Sequence, residues 1–159
     1  MLFTLLVRTS LSKFILSRFS PRVCSPGSVV VETLSQLDVI HRMQTAHLDV
    51  FSPATLDSVS ALAAFQRHGK FVSPIGLEGL HMIGRNASTL RLYSSLGVKY
   101  ATLTWNCHNA FADAAQVTVL DNSLDPDAAR PAKPYWGGLS PLGTRMIREM
   151  NRQIGRAHV

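Results

Sequence analysis

KFVSPIGLEGLHMIGRNASTLRLYSSLGVKYATLTW, residues 70–105, is the stretch on which the fold turns. KFVSPIGL, residues 70–77, reads as a short buried strand, with Pro74 the one residue that a strand interior disfavours. Asn86 or Ser88 can accept from the free N–H groups that open a helix. Ala87, Leu90, Tyr93 and Leu96 then recur every third residue on one face, and Gly97 supplies the stop. VKYATLTW, residues 98–105, is the clearest strand of the chain. It is β-branched and aromatic, with Val98, Tyr100 and Thr102 on one face. Strand, helix, strand is the rhythm of a parallel α/β unit.

The flanks continue that rhythm. In VETLSQLDVIHRM (31–43), Leu34, Leu37, Ile40 and Met43 stand three apart, an apolar helical stripe. SPATLDSVSALAAFQRHG (52–69) places Leu56, Val59, Leu62, Ala63 and Gln66 at helical spacing, with Pro53 near the start and Gly69 as C-terminal cap. After residue 105 an irregular stretch rich in Asn, Asp, Pro and Gly runs over 106–139. Ser140 and Pro141 then fit the N-cap and first position of a last helix, with Leu142, Met146, Ile147 and Met150 on its buried side. In parallel α/β folds chemistry gathers where strands end. Glu78 follows the first strand and Trp105-Asn106-Cys107-His108-Asn109 ends the second. The long connection after it exceeds the usual βα loop and points to a functional insertion over that face.

Bulk composition narrows the class. The chain has 159 residues, 46% hydrophobic and 16% charged, which suits one globular domain. The net charge of +6 would suggest nucleic acid as a partner, but its distribution argues against that. Residues 1–31 hold Arg8, Lys13, Arg18 and Arg22 and no acid, so 12 of the 16 basic residues face 10 acidic ones in the rest. A nearly neutral body excludes a basic nucleic-acid-binding face. Cys24 and Cys107 form no CxxC or zinc-finger spacing, and a disulfide between them stays open. No run reaches the apolar length of a membrane span. Residues 1–30 intersperse apolar, basic and serine residues, the pattern of an organelle-targeting leader. A mistaken translation start is the other reading of that segment.

SPIGLEGLHMIG, LRLYSSLGVKYATLTWNCHNAFADAA and YWGGLSPLGTRMIREMNR together closely resemble the membrane (renal-type) dipeptidases, zinc metallopeptidases, in their fungal branch. The likeness runs from about Val31 to Arg152 and is most specific over 76–152. It implies an α/β fold, part of a (β/α)8 TIM-type barrel, truncated to two or three βα units over 31–152. It also implies two Zn2+ ions at the strand ends and dipeptide hydrolysis by a metal-bridging hydroxide. In that family the glutamate of the EG motif bridges both metals, and Glu78 holds its place. A carboxylate between two dications offsets their repulsion and leaves the opposite edge open for the hydroxide.

Other positions are assigned by the same resemblance. The family's substrate histidine, in a motif like LTH, falls on Trp105. His108, three residues on, is placed to reach the same space. His81 is expected to orient Glu78 or pack beneath it, without binding metal. Asp113 is expected to shape its loop, and residues 135–139 to lead into the last helix. The family's first strand carries an HxD zinc pair. Here His47-Leu48-Asp49 follows the first helix instead, and His41, His47 and His68 read as surface or boundary residues.

Family members bind a dipeptide substrate and are commonly homodimers, whereas membrane association is left open. Residues 153–159 read as an adapter-derived tail, because IGRAHV is what a common sequencing adapter encodes; His158 is then no ligand. The chain is thus expected to be an inactive N-proximal piece of a dipeptidase. The alternative is a short non-catalytic interaction or organelle-targeted protein derived from the barrel.

Overall fold

Ile75, Gly76 and Leu77 form the middle strand of a three-stranded parallel sheet in the computed structural model, which describes residues 5–7, 26–53, 57–118 and 129–154. The strands lie in the order β1 (Leu5–Val7), β2 (Ile75–Leu77), β3 (Val98–Ala101). β1 pairs with β2 from Leu5↔Ile75 to Val7↔Leu77, and β2 pairs with β3 from Ile75↔Val98 to Leu77↔Ala101. Neighbouring parallel strands need a crossover, and helices provide it. α1 (Pro26–Ala46) and α2 (Ser58–His68) join β1 to β2, and α3 (Ala87–Ser95) joins β2 to β3. An antiparallel pair, β4 (Gln116–Thr118) and β5 (Ala129–Pro131), precedes α4 (Pro141–Ile154).

The βαβ unit at the centre follows the sequence closely. The Asn86 side chain accepts from the Ser88 N–H to open α3, and Leu90 and Tyr93 are buried. Both strands are shorter than their apolar runs. Pro74 has no N–H to offer a ladder, and the sheet begins just after it. β3 ends at Ala101, although the Thr102 N–H still donates to the Leu77 carbonyl at 3.0 Å. Ile75, Leu77, Val98 and Ala101 are all buried, as expected of a parallel sheet covered on both faces.

Around it the helices differ in how well pattern foretold packing. α1 buries Leu37 and Ile40 and half-buries Leu34 and Met43, so its stripe faces the core. His41 is half-buried and bonds the Leu96 carbonyl at the end of α3 through Nε2 at 2.7 Å, while His47 and His68 are exposed. α2 begins at a cap the sequence reading passed over: Asp57 accepts from the Val59 and Ser60 N–H groups, each at 3.0 Å. Gly69 closes it in the left-handed conformation, as expected. Its apolar stripe does not reach the core. Val59 is 78% and Leu62 52% exposed, and Ala61 is the buried residue instead. Helical spacing alone cannot say which face a helix turns inward. Leu56 lies outside the described residues.

α4 begins as its sequence demands. The Ser140 hydroxyl accepts from the Gly143 N–H at 2.9 Å, and Met146 and Met150 are buried. Three strands lie where none was expected. β1 falls inside the leader-like stretch, and β4 with β5 falls inside the stretch read as irregular. Strands of three residues carry too little alternation to stand out from their surroundings. No helix among the described residues is long and apolar enough to cross a membrane.

Candidate functional site

Glu78 comes directly after β2, in a bend, with its side chain half-buried. The glycines on either side are there because nothing larger fits. Gly76 pairs with Tyr100 across the ladder, and the Tyr100 ring occupies the space a Cβ would take. Gly79 has φ 109°, which side-chain-bearing residues rarely adopt, and a Cβ there would stand 2.5 Å from His81 Nδ1. The motif therefore seats one carboxylate at the strand end and leaves backbone alone to pass Tyr100 and His81. Burial pushes the Tyr100 phenol up, and the Glu78 charge pushes it further.

His81 lies in the 3-10 turn Leu80–Ile83 and is 4% exposed. Its ring stacks on Trp105 at 6.3 Å between centroids, tilted by 22°. Burial lowers its pKa to about 4, so at pH 7 the ring is neutral. Neither ring nitrogen has a hydrogen-bond partner among the described residues. His81 therefore packs under Gly79 and against Trp105, without a hydrogen bond to Glu78.

His108 is held differently. Its Nδ1 lies 3.2 Å from the Ala114 N–H and 3.1 Å from Asp113 Oδ1. Unprotonated, Nδ1 accepts from Ala114; protonated, it donates to Asp113, and it cannot do both. Tyr135 covers the ring at 4.5 Å between centroids. Asp113 shapes its loop: Oδ1 accepts from the Tyr135 N–H and Oδ2 from those of Trp136 and Gly138. Asn109, which the sequence reading did not single out, carries out a parallel task. Its Oδ1 accepts from the Phe111 and Ala112 N–H groups, and its Nδ2 donates to the Leu103 carbonyl. The signal was available, since Asn is the residue that most readily bonds backbone two residues on. Cys107 is disulfide-bonded, and Cys24 lies outside the described residues.

Two hollows border these residues. A cleft of about 600 Å3 follows β3, lined by Tyr100, Thr102, Thr104, Asp113 and Leu139 among others. A pocket of about 240 Å3 brings His81 and His108 together with Arg85 and Trp136. Glu78 is not in the lining of either, and Trp105 reaches the pocket only through its stacking on His81. His47 and Asp49 are exposed in the turn after α1. Among the described residues no three His, Cys, Asp or Glu side chains come together to hold a metal ion. These residues by themselves do not fit a two-zinc centre.

The Asp113 bracket has a pH signature. Burial raises its pKa, but the N–H groups of Tyr135, Trp136, Gly138 and Gly137 outweigh that and hold it below the usual 3.8. A carboxylate depressed on folding stabilises above its unfolded pKa and loses that contribution as pH falls through the folded value. Glu149 behaves likewise, held to about 2 by Arg152 and Arg91 against an opposing effect of burial. Thermal unfolding should therefore worsen as pH drops below about 4. Asp113→Asn should make that loss smaller, and the loss due to Glu149, whose carboxyl is held down to about 2, should remain. An unchanged pH profile in the variant would remove Asp113 from this role.

The pattern of the family described as Membrane dipeptidase (Peptidase family M19) matches residues 6–154. Dipeptidase aclJ of Aspergillus oryzae is 38% identical over 124 residues, 78% of this chain and 26% of that protein. Dipeptidase ataJ of Aspergillus terreus is 45% identical over 106 residues, 67% and 23% of the two chains. An uncharacterized dipeptidase of Schizosaccharomyces pombe, C965.12, is 39% identical over 128 residues, 80% and 28%. The chain spans about a quarter of the length of the curated relatives it matches. Among solved structures, the probable dipeptidase PvdM from Pseudomonas aeruginosa superposes with a TM-score of 0.62 at 21% identity, over 82% of this chain and 31% of that one. An amidohydrolase from the same organism gives 0.61 at 18%, over 79% and 32%. At such identities the likeness is one of fold.

Proposed function

Since the chain belongs to the membrane dipeptidase family, peptidase family M19, we propose that the whole protein is a zinc-dependent dipeptidase and that Glu78 is one of its metal ligands. The observation that carries this reading is the placement of Glu78. It is a half-buried carboxylate at the C-terminal end of the middle strand of a parallel sheet, seated between two glycines that nothing larger replaces. In βα architectures that end is where ligands and catalytic groups collect. Relatives named as dipeptidases support the substrate class, and solved relatives of like fold support the described residues being part of a (β/α)8 barrel.

In this reading the Glu78 carboxylate would help hold the zinc, which when bound would supply polarisation of the scissile carbonyl. The chain's own residues do the positioning. Gly76 and Gly79 make room for the Tyr100 and His81 rings beside Glu78, and Tyr100 forms one wall there. His108, held through Nδ1 by Ala114 when unprotonated or by Asp113 when protonated, has Nε2 left for a substrate group.

The described residues bring one carboxylate and no cluster of three metal-binding side chains. The 159-residue chain taken alone is accordingly expected to carry no stoichiometric zinc and to turn over no dipeptide. The whole protein is expected to hydrolyse dipeptides, to lose that activity to a chelator, and to regain it with zinc. Chelator-sensitive turnover by the isolated chain would overturn the first expectation. Chelator-resistant turnover by the whole protein would overturn the second.

A further inference from the structure

Asn86-Ala87-Ser88 opens α3, and it is the only Asn-X-Ser/Thr triplet in the 159 residues, with no proline in its middle position. Such a triplet is the acceptor for an N-linked glycan. Capping the helix uses only half of the Asn86 side chain. Its Oδ1 accepts from the Ser88 N–H at 2.9 Å, whereas its Nδ2 makes no hydrogen bond among the described residues. The oxygen serves the helix, and the nitrogen, the atom to which a glycan attaches, is unused.

The surroundings suit a bulky hydrophilic group. Arg85, Asn86 and Ser88 are all exposed, and the Asn86 backbone is extended, with φ −123° and ψ 116°. The buried face of α3 is carried by Leu90 and Tyr93, so a glycan on Asn86 displaces nothing in the core. Asn86 lines neither of the two hollows near β2 and β3. A second, independent observation concerns the compartment. Cys107 is disulfide-bonded, and such bonds persist in the endoplasmic reticulum and outside the cell but are rare in the cytosol. N-linked glycans are added in that same reticulum. The relatives of 38–45% identity come from fungi, eukaryotes that possess the machinery.

We propose that Asn86 is a site of N-linked glycosylation and that the chain passes through the secretory pathway. In the transfer, Nδ2 forms a bond to the anomeric carbon of a lipid-pyrophosphate-linked oligosaccharide. The bond from that carbon to the phosphate oxygen breaks, and the pyrophosphate leaves with the electron pair. Nδ2 gives up one of its two protons to a base of the transferase. Oδ1 takes no part, so the cap on α3 survives the modification. The Ser88 hydroxyl, which the transferase reads in the unfolded chain, accepts from Arg91 Nη2 at 3.0 Å after folding. A leader that sent the chain to another organelle would leave Asn86 bare, and the site stands apart from the dipeptidase reading.

The test is made on the whole protein, expressed with its own N-terminus in yeast. The peptide that carries residue 86 should bear a glycan by mass spectrometry. Treatment with peptide-N-glycosidase F should release it and leave an aspartate where the gene encodes asparagine, and the untreated peptide should show no such conversion. Asn86→Asp keeps an oxygen for the cap and removes the nitrogen. Ser88→Ala keeps the backbone N–H that the cap uses and removes the hydroxyl. Each should abolish the glycan at this site completely and quicken gel migration by one glycan, with an unchanged circular dichroism spectrum. Ser88→Thr should retain the glycan, since threonine also completes the triplet. A bare Asn86 in the parent, or gel migration unchanged in both Asn86→Asp and Ser88→Ala, would overturn the proposal.

Discussion

Glu78→Gln is expected to lower zinc affinity of the whole protein by more than about a hundredfold, because altering a residue behind a metal ligand already costs about 10–100-fold. The substitution is close to isosteric, so the half-buried side chain keeps its packing and the bend after β2 has no reason to move. What goes is the charge. A neutral amide cannot offset the repulsion between two dications, and it is a far poorer donor to a hard, doubly charged ion. Zinc per chain, measured by elemental analysis after dialysis, should fall together with dipeptide turnover, while circular dichroism stays unchanged. A second readout needs no metal at all. Part of the elevation of the Tyr100 phenol is due to the Glu78 charge, so in metal-free protein the variant's Tyr100 should titrate at lower pH than in the parent. Retained zinc would remove Glu78 from the ligand set even if the tyrosine moved as expected.

Phe111→Ala is expected to destabilise the fold by about 3–5 kcal/mol, the range for truncating a fully buried aromatic ring. Against a total stability of about 5–15 kcal/mol that loss is severe. Phe111 is 0% exposed and belongs to the same apolar cluster as Leu77, Val98, Met146 and Met150. Its backbone is committed as well: the N–H donates to Asn109 Oδ1, and the carbonyl accepts from the Ser140 N–H at the start of α4. The ring thus fastens the loop that carries His108 to both the sheet and the last helix. Chemical denaturation of the variant should show the midpoint fall at unchanged slope. Trp136→Ala is the control. Its ring is 52% exposed, and loss of about 0.5 kcal/mol or less is expected. If the two variants cost the same, Phe111 does not have the anchoring role assigned to it.

The central βαβ unit was legible in the sequence because several signals agreed there. Asn86 as cap, Leu90 and Tyr93 as the buried face and Gly97 as stop all point to the same helix, and β-branched residues mark the strand after it. α2 was legible as a helix but not in its orientation, since Val59 and Leu62 obey helical spacing and still face outward. The strand at Leu5–Val7 and the pair β4–β5 escaped notice because three residues cannot display a period. For the candidate site, the strand-end placement of Glu78 and the bracketing role of Asp113 could be read from the motif. The meeting of His81 and His108 at one pocket could not, since it depends on how the turn at 80–83 and the later loop fold together. Nor could the isolation of the His81 nitrogens, which depends on what fails to approach them.

The Asp113 bracket separates the placing of His108 from the length of chain that follows it. The backbone is clamped on both sides of the segment that joins β4 to β5. Gln116–Thr118 is zipped to Ala129–Pro131, the Ala132 N–H meets the Ala115 carbonyl, and Asp113 grips residues 135–138. Once the ends of a loop are pinned, doubling its length adds only about 0.6 kcal/mol of closure entropy. A change of chain length between residues 118 and 129 is therefore expected to leave His108 in place, which the stability of a variant lengthened there would check. Chain length at that one point is free to vary while the clamp keeps the geometry around His108.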